Sequence, residues 1–267
     1  MDSTQHVAVI GGGAAGFFAA LSAAQHHPNA GVVLFEKSNK LLAKVKVSGG
    51  GRCNVTHACF SPAVLAKSYP RGGKQLKKAF SEFHATHTVE WFTTRGVPLK
   101  TEEDGRMFPE ANTSQAIIDC LMREAESAGI DIRMSSPIRE IKPSTSNTGG
   151  FDLHGERFDR VVVASGGSPK PTGFDWIRAW GHTISEPVPS LFTFNMPKES
   201  VTARMGLVVQ DAIVRIQGTK LSHQGPVLIT HWGMSGPAVR GQCRGVGSWR
   251  RAQDDMESTK GFDEAGA

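Results

Sequence analysis

Long hydrophobic runs are absent from this sequence: nowhere do apolar residues continue for the roughly eighteen positions that a membrane-spanning helix needs. The first strand-like run begins at Val7, which leaves no room for a signal or transit peptide and points to the cytoplasm. Cysteine is scarce. Cys53, Cys59, Cys120 and Cys243 show no CxxC spacing and no pairing with nearby histidines, which argues against a zinc site or disulfide framework and for reduced thiols, and no metal is expected. Aromatics make up only 7% of the chain. The densest basic stretch, Lys67, Arg71, Lys74, Lys77 and Lys78, lacks the interleaved aromatics of a nucleic-acid stacking surface. It reads as the solvated face of a helix, and nucleic acid is not expected as a partner. No Gly-x-Ser-x-Gly elbow surrounds Ser48 or Ser235, so neither serine is marked as a nucleophile.

Glycine, by contrast, is plentiful at 30 residues, and with 39% hydrophobic content the chain reads as a turn-rich α/β protein of one or two domains. The first glycines are the informative ones. Val7–Ile10 is a short apolar strand that breaks into Gly11-Gly12-Gly13-Ala14-Ala15-Gly16. A helical stretch then runs from Phe17 to about His27, Val32–Phe35 resumes a strand, and Glu36 follows twenty positions after Gly16. Gly11 allows the tight turn, Gly13 lets backbone approach a pyrophosphate, and Gly16 lets the helix pack close to the strand. Free N–H groups at the helix start face the phosphates, and Glu36 is placed to accept from an adenosine ribose. A dinucleotide site follows; the spacing does not separate FAD from NAD.

A basic connector, Lys37–Lys46, leads to a second glycine loop, Ser48-Gly49-Gly50-Gly51-Arg52-Cys53-Asn54-Val55-Thr56-His57. Arg52 could donate a fork of hydrogen bonds to phosphate, with Ser48, Asn54 and Thr56 adding neutral ones. A mobile loop with its arginine in water is the equal alternative. Helical sequence is expected over Gly73–Arg95, where His84 and His87 lack a third ligand and serve an ordinary amphipathic helix. A further helix should be capped by Asn112, carry an apolar stripe of Ile117, Ile118, Leu121, Met122 and Ala125, and stop at Gly129.

Strands are expected at Ile130–Arg133 and Ile138–Ile141, then a hairpin from Phe151 to Phe158 over the parallel sheet. Arg160–Ala164 runs as a buried strand into Ser165-Gly166-Gly167-Ser168, so its end and that of the first strand flank one crevice. Strand-like segments at Leu191–Phe194, Val208–Ile216 and Val227–Thr230, without long helices, open a β-rich domain near Ser190. Arg240–Ala267 has no apolar period and reads as a disordered tail. The expected division is 1–189, 190–239 and 240–267.

Three motifs taken together resemble the YhiN/BaiN-type flavoproteins: Gly11-x-Gly13-x-x-Gly16 with Glu36-Lys37; Ser48-Gly-Gly-Gly-Arg52-Cys53-Asn54-x-Thr56; and Thr230-His231-Trp232-Gly233-x-Ser235-Gly236-Pro237. Gly105–Pro109, Val163–Gly167 and Gly181–Ile184 match in the same order, and the resemblance covers residues 7 to about 239. It implies an α/β fold with a Rossmann-like FAD domain of the glutathione-reductase type and an incomplete β-rich second domain. It implies FAD as cofactor, NAD(P)H as electron donor and reduction of a small organic substrate. Gly11, Gly13, Ala14, Ala15 and Gly16 would hold the pyrophosphate and Glu36 the ribose. Lys37, Lys46 and the loop residues Ser48, Gly49, Gly50, Arg52, Cys53 and Asn54 would lie along the cofactor. The backbone of Ile138 would face adenine, and Ala164, Gly166 and Gly167 would line the crevice.

His231 is the one candidate for an acid or substrate contact, a structural histidine being the plainer reading. Ser165 stands where threonine is usual, and His57 where asparagine is. Family members are longer and return to the FAD domain with a glycine-rich segment that this sequence does not show. A C-terminally truncated chain that forms little holoenzyme is therefore expected. A non-catalytic binder of FAD or adenine nucleotide is the alternative, and a flavoprotein acting on RNA, suggested by the basic stretch, is a third.

Overall fold

The computed structural model describes residues 5–69, 72–146, 148–168, 170–185, 193–196, 198–217 and 220–241. The expected tail beyond Gly241, and the Leu191-Phe192 start of one expected strand, lie outside the described residues. The chain divides into two units, Met1–Ile184 and Ser185–Ala267. Among the described residues no helix is long and apolar enough to cross a membrane.

The first unit opens with β1 (His6–Ile10), α1 (Ala14–His26) and β2 (Gly31–Phe35). Next come α2 (Ala43–Val47), β3 (Thr56–His57), α3 (Pro62–Lys67), α4 (Gly73–Glu82) and α5 (Ala85–Thr93). These are followed by β4 (Leu99–Thr101), β5 (Arg106–Pro109), α6 (Ser114–Ser127) and β6 (Asp131–Arg133). β7 (Lys142–Pro143), β8 (Phe151–Leu153), β9 (Glu156–Phe158), β10 (Arg160–Val163) and α7 (Asp175–Arg178) complete it. The central sheet is parallel in the order β10-β1-β2-β6.

Side-chain alternation feeds two cores from one sheet. Val7, Val9, Val32 and Leu34 join Phe17 and Ala20 of α1 and Ile117, Leu121 and Ala125 of α6 on one face. Ala8, Ile10, Val33 and Phe35 join Leu153 and Phe158 on the other, where the small antiparallel sheet β7-β8-β9 covers them. A sheet buried on both faces needs apolar residues at every position, which is why β1 and β2 read as continuous runs. The expected hairpin cover is present, with Phe35 meeting Phe158 edge-to-face at 5.8 Å. β10 is the outermost strand on its side, and Val162 and Val163 remain 38% and 43% exposed.

Several local expectations are corrected. The helix expected over Gly73–Arg95 is two helices, because the chain turns extended at Phe83 and His84. His84 Nδ1 accepts from the Thr86 N–H at 3.3 Å, and His87 Nδ1 accepts from the His84 N–H at 3.1 Å. The two histidines thus form a reciprocal cap for α5, a task more often given to Ser, Thr or Glu. The cap of α6 is Thr113, whose Oγ1 accepts from the Gln115 N–H, while Asn112 sits one place earlier with φ 54°. Residues 138–141 form no strand; Pro137 and Pro143 withdraw backbone donors at either side, and Ile138 and Ile141 still pack into the second core. The connector after Glu36 contains α2, which starts from Leu42 in a left-handed conformation.

The second unit is an antiparallel sheet of β11 (Phe194–Asn195), β12 (Val208–Arg215), β13 (Ser222–Thr230) and β14 (Gly233–Ser235), ordered β11-β14-β13-β12, with α8 (Pro237–Gly241) after it. Ala238 and Val239 bury against Val227 and Ile229. A Cβ on Gly233 would fall 2.1 Å from the Phe194 carbonyl oxygen, and one on Gly236 2.6 Å from that of Pro226. The glycines of the Thr230–Pro237 motif therefore serve close strand packing within this unit.

Candidate functional site

The site is assembled where β1, β2 and β10 end. Gly11 turns the chain with φ 117°, its N–H donates to the Phe35 carbonyl at 2.7 Å, and Ala164 N–H donates to the Ile10 carbonyl at 2.8 Å. A Cβ on Gly11 would lie 2.4 Å from the Ala164 oxygen. The three strand ends are thus stitched at backbone distance, with Ala164 directly against the Gly11 turn. Gly16 admits no side chain either, since its Cβ would stand 1.8 Å from the Gly11 oxygen.

Gly13 differs. It is the N-cap of α1, extended at φ −94°, with no side-chain cap, and no heavy atom lies within 4 Å of where its Cβ would be. The first turn of α1, beginning with Ala14 and Ala15, carries no acidic residue. Its amides and the positive end of the helix dipole therefore open onto free space, the arrangement that receives a diphosphate.

Glu36 stands across the turn. Its Oε2 accepts from the Gly12 N–H at 2.8 Å, and its Oε1 accepts from both the N–H (2.9 Å) and hydroxyl (2.8 Å) of Ser38. Burial pushes this carboxyl up, but the Ser38 and Gly12 amides, the Ser38 hydroxyl and the Lys37 charge together hold it below the ordinary glutamate range. It is ionised at neutral pH, and Oε2 keeps a lone pair for a sugar hydroxyl.

Four residues of this corner were not among those expected from the motif. Gly12 is as constrained as its neighbours, because a Cβ there would meet Leu41 Cδ2 at 2.6 Å and Glu36 Cβ at 2.9 Å. Leu42 N–H donates to the Gly12 carbonyl at 2.8 Å, folding the connector back over the turn. Ser38 fixes the carboxylate. Lys44 Nζ lies 3.7 Å from the position of a Cβ on Gly166, which brings an ammonium group over the end of β10. The run Glu36-x-Ser38 was the available signal for Ser38; nothing in the spacing marked Lys44 over Lys46.

The second glycine loop is held by contacts of its own. Gly49, Gly50, Gly51 and Cys53 all have positive φ. Gly49 packs so tightly that a Cβ would meet the Asn54 nitrogen at 2.7 Å and Phe108 at 2.8 Å, whereas nothing lies near Gly50. Arg52 Nη1 pairs with Glu102 at 2.5 Å, and its guanidinium lies 4.0 Å over the Phe108 ring. Cys53 is buried in the first core, and burial pushes its thiol up against a smaller opposing effect of the Ser48 hydrogen bond. Its side chain faces the protein interior.

Of the remaining expected residues, Lys37, Lys46 and Asn54 are exposed, and the Lys46 carbonyl accepts from Ser114 Oγ at 2.8 Å. Ile138 packs its side chain into the second core, and nothing lies near a Cβ built on Gly167. His231 lies in the second unit, exposed, on the turn between β13 and β14, with its ring edge-to-face on Trp232 at 4.2 Å.

The HI0933-like protein Rossmann domain matches this chain over residues 5–261, a span that runs beyond about residue 239, where the resemblance was expected to end. The 3-dehydro-bile acid delta(4,6)-reductase of Clostridium scindens is 26% identical over 245 residues, covering 87% of this chain and 58% of that protein. The ribosomal RNA dihydrouridine synthase of Escherichia coli is 28% identical over 243 residues, covering 86% of this chain and 58% of that protein. The chain thus spans 58% of the length of both of these curated relatives. Among solved structures, the open conformation of a flavocytochrome c3 fumarate reductase has a TM-score of 0.44 at 24% identity, covering 62% of this chain and 34% of that one.

Proposed function

This chain belongs to the HI0933-like Rossmann-domain family, an FAD-binding family, and on that premise we propose that it is an oxidoreductase that adds a hydride to a carbon–carbon double bond conjugated to a carbonyl. The observation that supports FAD in this chain is the open, uncapped start of α1 facing Glu36. Gly13 and the amides of Ala14, Ala15 and Gly16 would hold the diphosphate, with Gly11 shaping the turn through its bond to Phe35, and Glu36 would hold the ribose. Ile138 would lie by the adenine, with Lys44, Ala164 and Gly166 farther along the crevice. FAD when bound supplies the redox chemistry that no side chain of this polypeptide can perform. The chain's own part is binding, orientation and charge. Glu36 stays deprotonated, and Lys44 sets a positive charge beside the end of β10.

The substrate class comes from chemistry that the relatives' names share. A 3-oxo bile acid with Δ4,6 unsaturation, the uracil ring of uridine and fumarate each carry an alkene polarised by a neighbouring carbonyl. A small enone is the reading favoured for this chain, with NADH or NADPH as electron donor. A uracil base within RNA is the second reading, favoured by the dihydrouridine synthase relative. The division of the chain near residue 189 into an FAD domain and a β-rich substrate domain is part of this reading.

Reconstitution with FAD followed by anaerobic titration with NADH and NADPH tests it. The flavin absorbance should bleach with one donor and return on addition of a 4-ene-3-ketone or of uridine, with one equivalent of reduced product. A bound flavin that neither donor reduces, or that no conjugated alkene reoxidises, overturns the reading.

A further inference from the structure

Between Glu36 and Glu82 the sequence places ten Lys and Arg residues and not one Asp or Glu, whereas the whole chain carries a net charge of only +5. Part of this charge lies at the cofactor corner. Lys67, Lys74, Lys77 and Lys78 belong instead to α3 and α4, and all four are exposed. None of the four joins an ion pair among the described residues. Unpaired charges of one sign on one surface create a field that draws in an anionic partner.

The same stretch displays apolar side chains that a solvated helix face does not need. Phe60, just before α3, is 51% exposed and Val64, on α3, is 52% exposed. Tyr69 follows α3 at 42%, and Phe83 ends α4 at 46%. Val64 and Lys67 stand three residues apart and so share one side of α3. On α4, Lys74, Lys77 and Lys78 recur at three and four residues and form a basic stripe, while Leu76 and Phe80 are partly covered. Lys67 and Tyr69 line the cleft between the two helices together with Lys74 and Lys77. The apolar side of α3 and the lysines of α4 therefore adjoin. The Tyr69 ring is held against Phe80 at a centroid distance of 5.5 Å, which ties the end of α3 to α4.

Charge and apolarity together narrow the partner. A phosphate backbone answers the lysines but gives no use to Val64, an aliphatic side chain with no π face for a base. An anionic bilayer answers both. Apolar side chains enter the boundary between headgroups and acyl chains, lysines meet the headgroups, and the two contributions add. Lysine suits this place, since its stem lies along apolar surface while its ammonium stays in water. Attachment of this kind lies on the membrane and needs no spanning helix.

We propose that the α3–α4 pair is a docking surface for a bilayer rich in anionic lipid. Phe60 and Val64 enter the acyl boundary, Tyr69 sits at headgroup level, and Lys67, Lys74, Lys77 and Lys78 meet the headgroups. The surface draws on no residue assigned to the cofactor.

The test is flotation of the full chain, with FAD added, on vesicles of equal parts phosphatidylcholine and phosphatidylserine. The protein should rise with these vesicles at low salt, stay behind with phosphatidylcholine alone, and be released as salt screens the headgroups. A lysine near such a surface is worth about fivefold, so the combined K67Q/K74Q/K77Q/K78Q variant should bind at least about tenfold more weakly and lose most of the salt dependence. The F60S/V64S variant should bind roughly tenfold more weakly with the salt dependence retained. Phe83 is left intact because Phe18 and His87 pack on its ring. Lys100→Gln and Lys142→Gln, on β4 and β7, should change nothing. Failure of the parent chain to rise with the anionic vesicles overturns the proposal, as does equal flotation on phosphatidylcholine alone. Unchanged flotation of either combined variant, with circular dichroism like that of the parent, also overturns it. So does a single-stranded RNA that displaces the parent chain from the vesicles and binds F60S/V64S equally well. Flavin reduction is read separately, and its failure removes the enone reading while leaving this surface standing.

Discussion

A methyl group on Gly16 would fall 1.8 Å from the carbonyl oxygen of Gly11. The glycine sixteen residues into the chain is thus required by the turn five residues earlier, and the helix start cannot move away without opening the strand crossing at Ala164.

Gly16→Ala should accordingly unfold or grossly loosen the first unit. A loss of about 4 kcal/mol or more is expected, the range of exceptional single substitutions. Thermal unfolding monitored by circular dichroism checks it. Gly13→Ala, with no neighbour within 4 Å of the new methyl, should leave stability nearly unchanged yet weaken FAD binding, because the methyl would occupy the space proposed for the diphosphate.

Glu36→Gln should weaken FAD roughly 10- to 100-fold, the equivalent of losing charge-assisted hydrogen bonds. Isothermal titration of the apoprotein reads this directly. The same residue gives a pH dependence. Its pKa in the folded protein lies below the ordinary glutamate value, so its stabilising contribution is complete above that ordinary value. It is lost as pH falls through the lower folded-state value. Denaturant midpoints measured from neutral to acid pH should fall less steeply for Glu36→Gln than for the parent chain.

Glu102→Gln should release Arg52 from its ion pair while leaving the guanidinium over Phe108. The pair is about one-third exposed at Arg52, with side-chain values of 34% and 27%, so the loss should be no more than about 1 kcal/mol. That corresponds to a fall of about 2 to 4 °C in melting temperature. Hydrogen exchange should quicken over residues 48–54 and not over β1 or β2.

Thiol labelling should separate the cysteines by burial. Cys53 and Cys120 are buried with thiols pushed up chiefly by that burial, while Cys59 is partly exposed. Brief iodoacetamide treatment and peptide mapping should find Cys59 alkylated well ahead of Cys53 and Cys120.

The parts of the fold readable from sequence are those where one local rule governs. β1, the glycine turn, α1 and β2 followed from an apolar run, three spaced glycines and an acid, because close packing and phosphate geometry leave few substitutes. The hairpin over the sheet was equally readable from Phe151 and Phe158. What escaped depends on contacts between distant segments. Gly12 is constrained by Leu41, which lies in the connector. Lys44 approaches Gly166 only because Leu42 bends the chain back across Gly12. The break at His84 depends on imidazole caps that propensity does not anticipate. Arg52 pairs with Glu102, fifty residues away, a partner that the glycine loop itself does not announce. Similarly, the Thr230–Pro237 motif suggested chemistry, while Gly233 and Gly236 answer to the carbonyls of Phe194 and Pro226.

In β1, Val7 and Val9 serve one core while Ala8 and Ile10 serve the other. This strand can therefore exchange one hydrocarbon for another of similar bulk, but it cannot change its count. Deleting a single residue between His6 and Gly11 would turn the side chains on one side of the cut toward the opposite core. Length, more than composition, is the inheritable constraint on the opening of this chain.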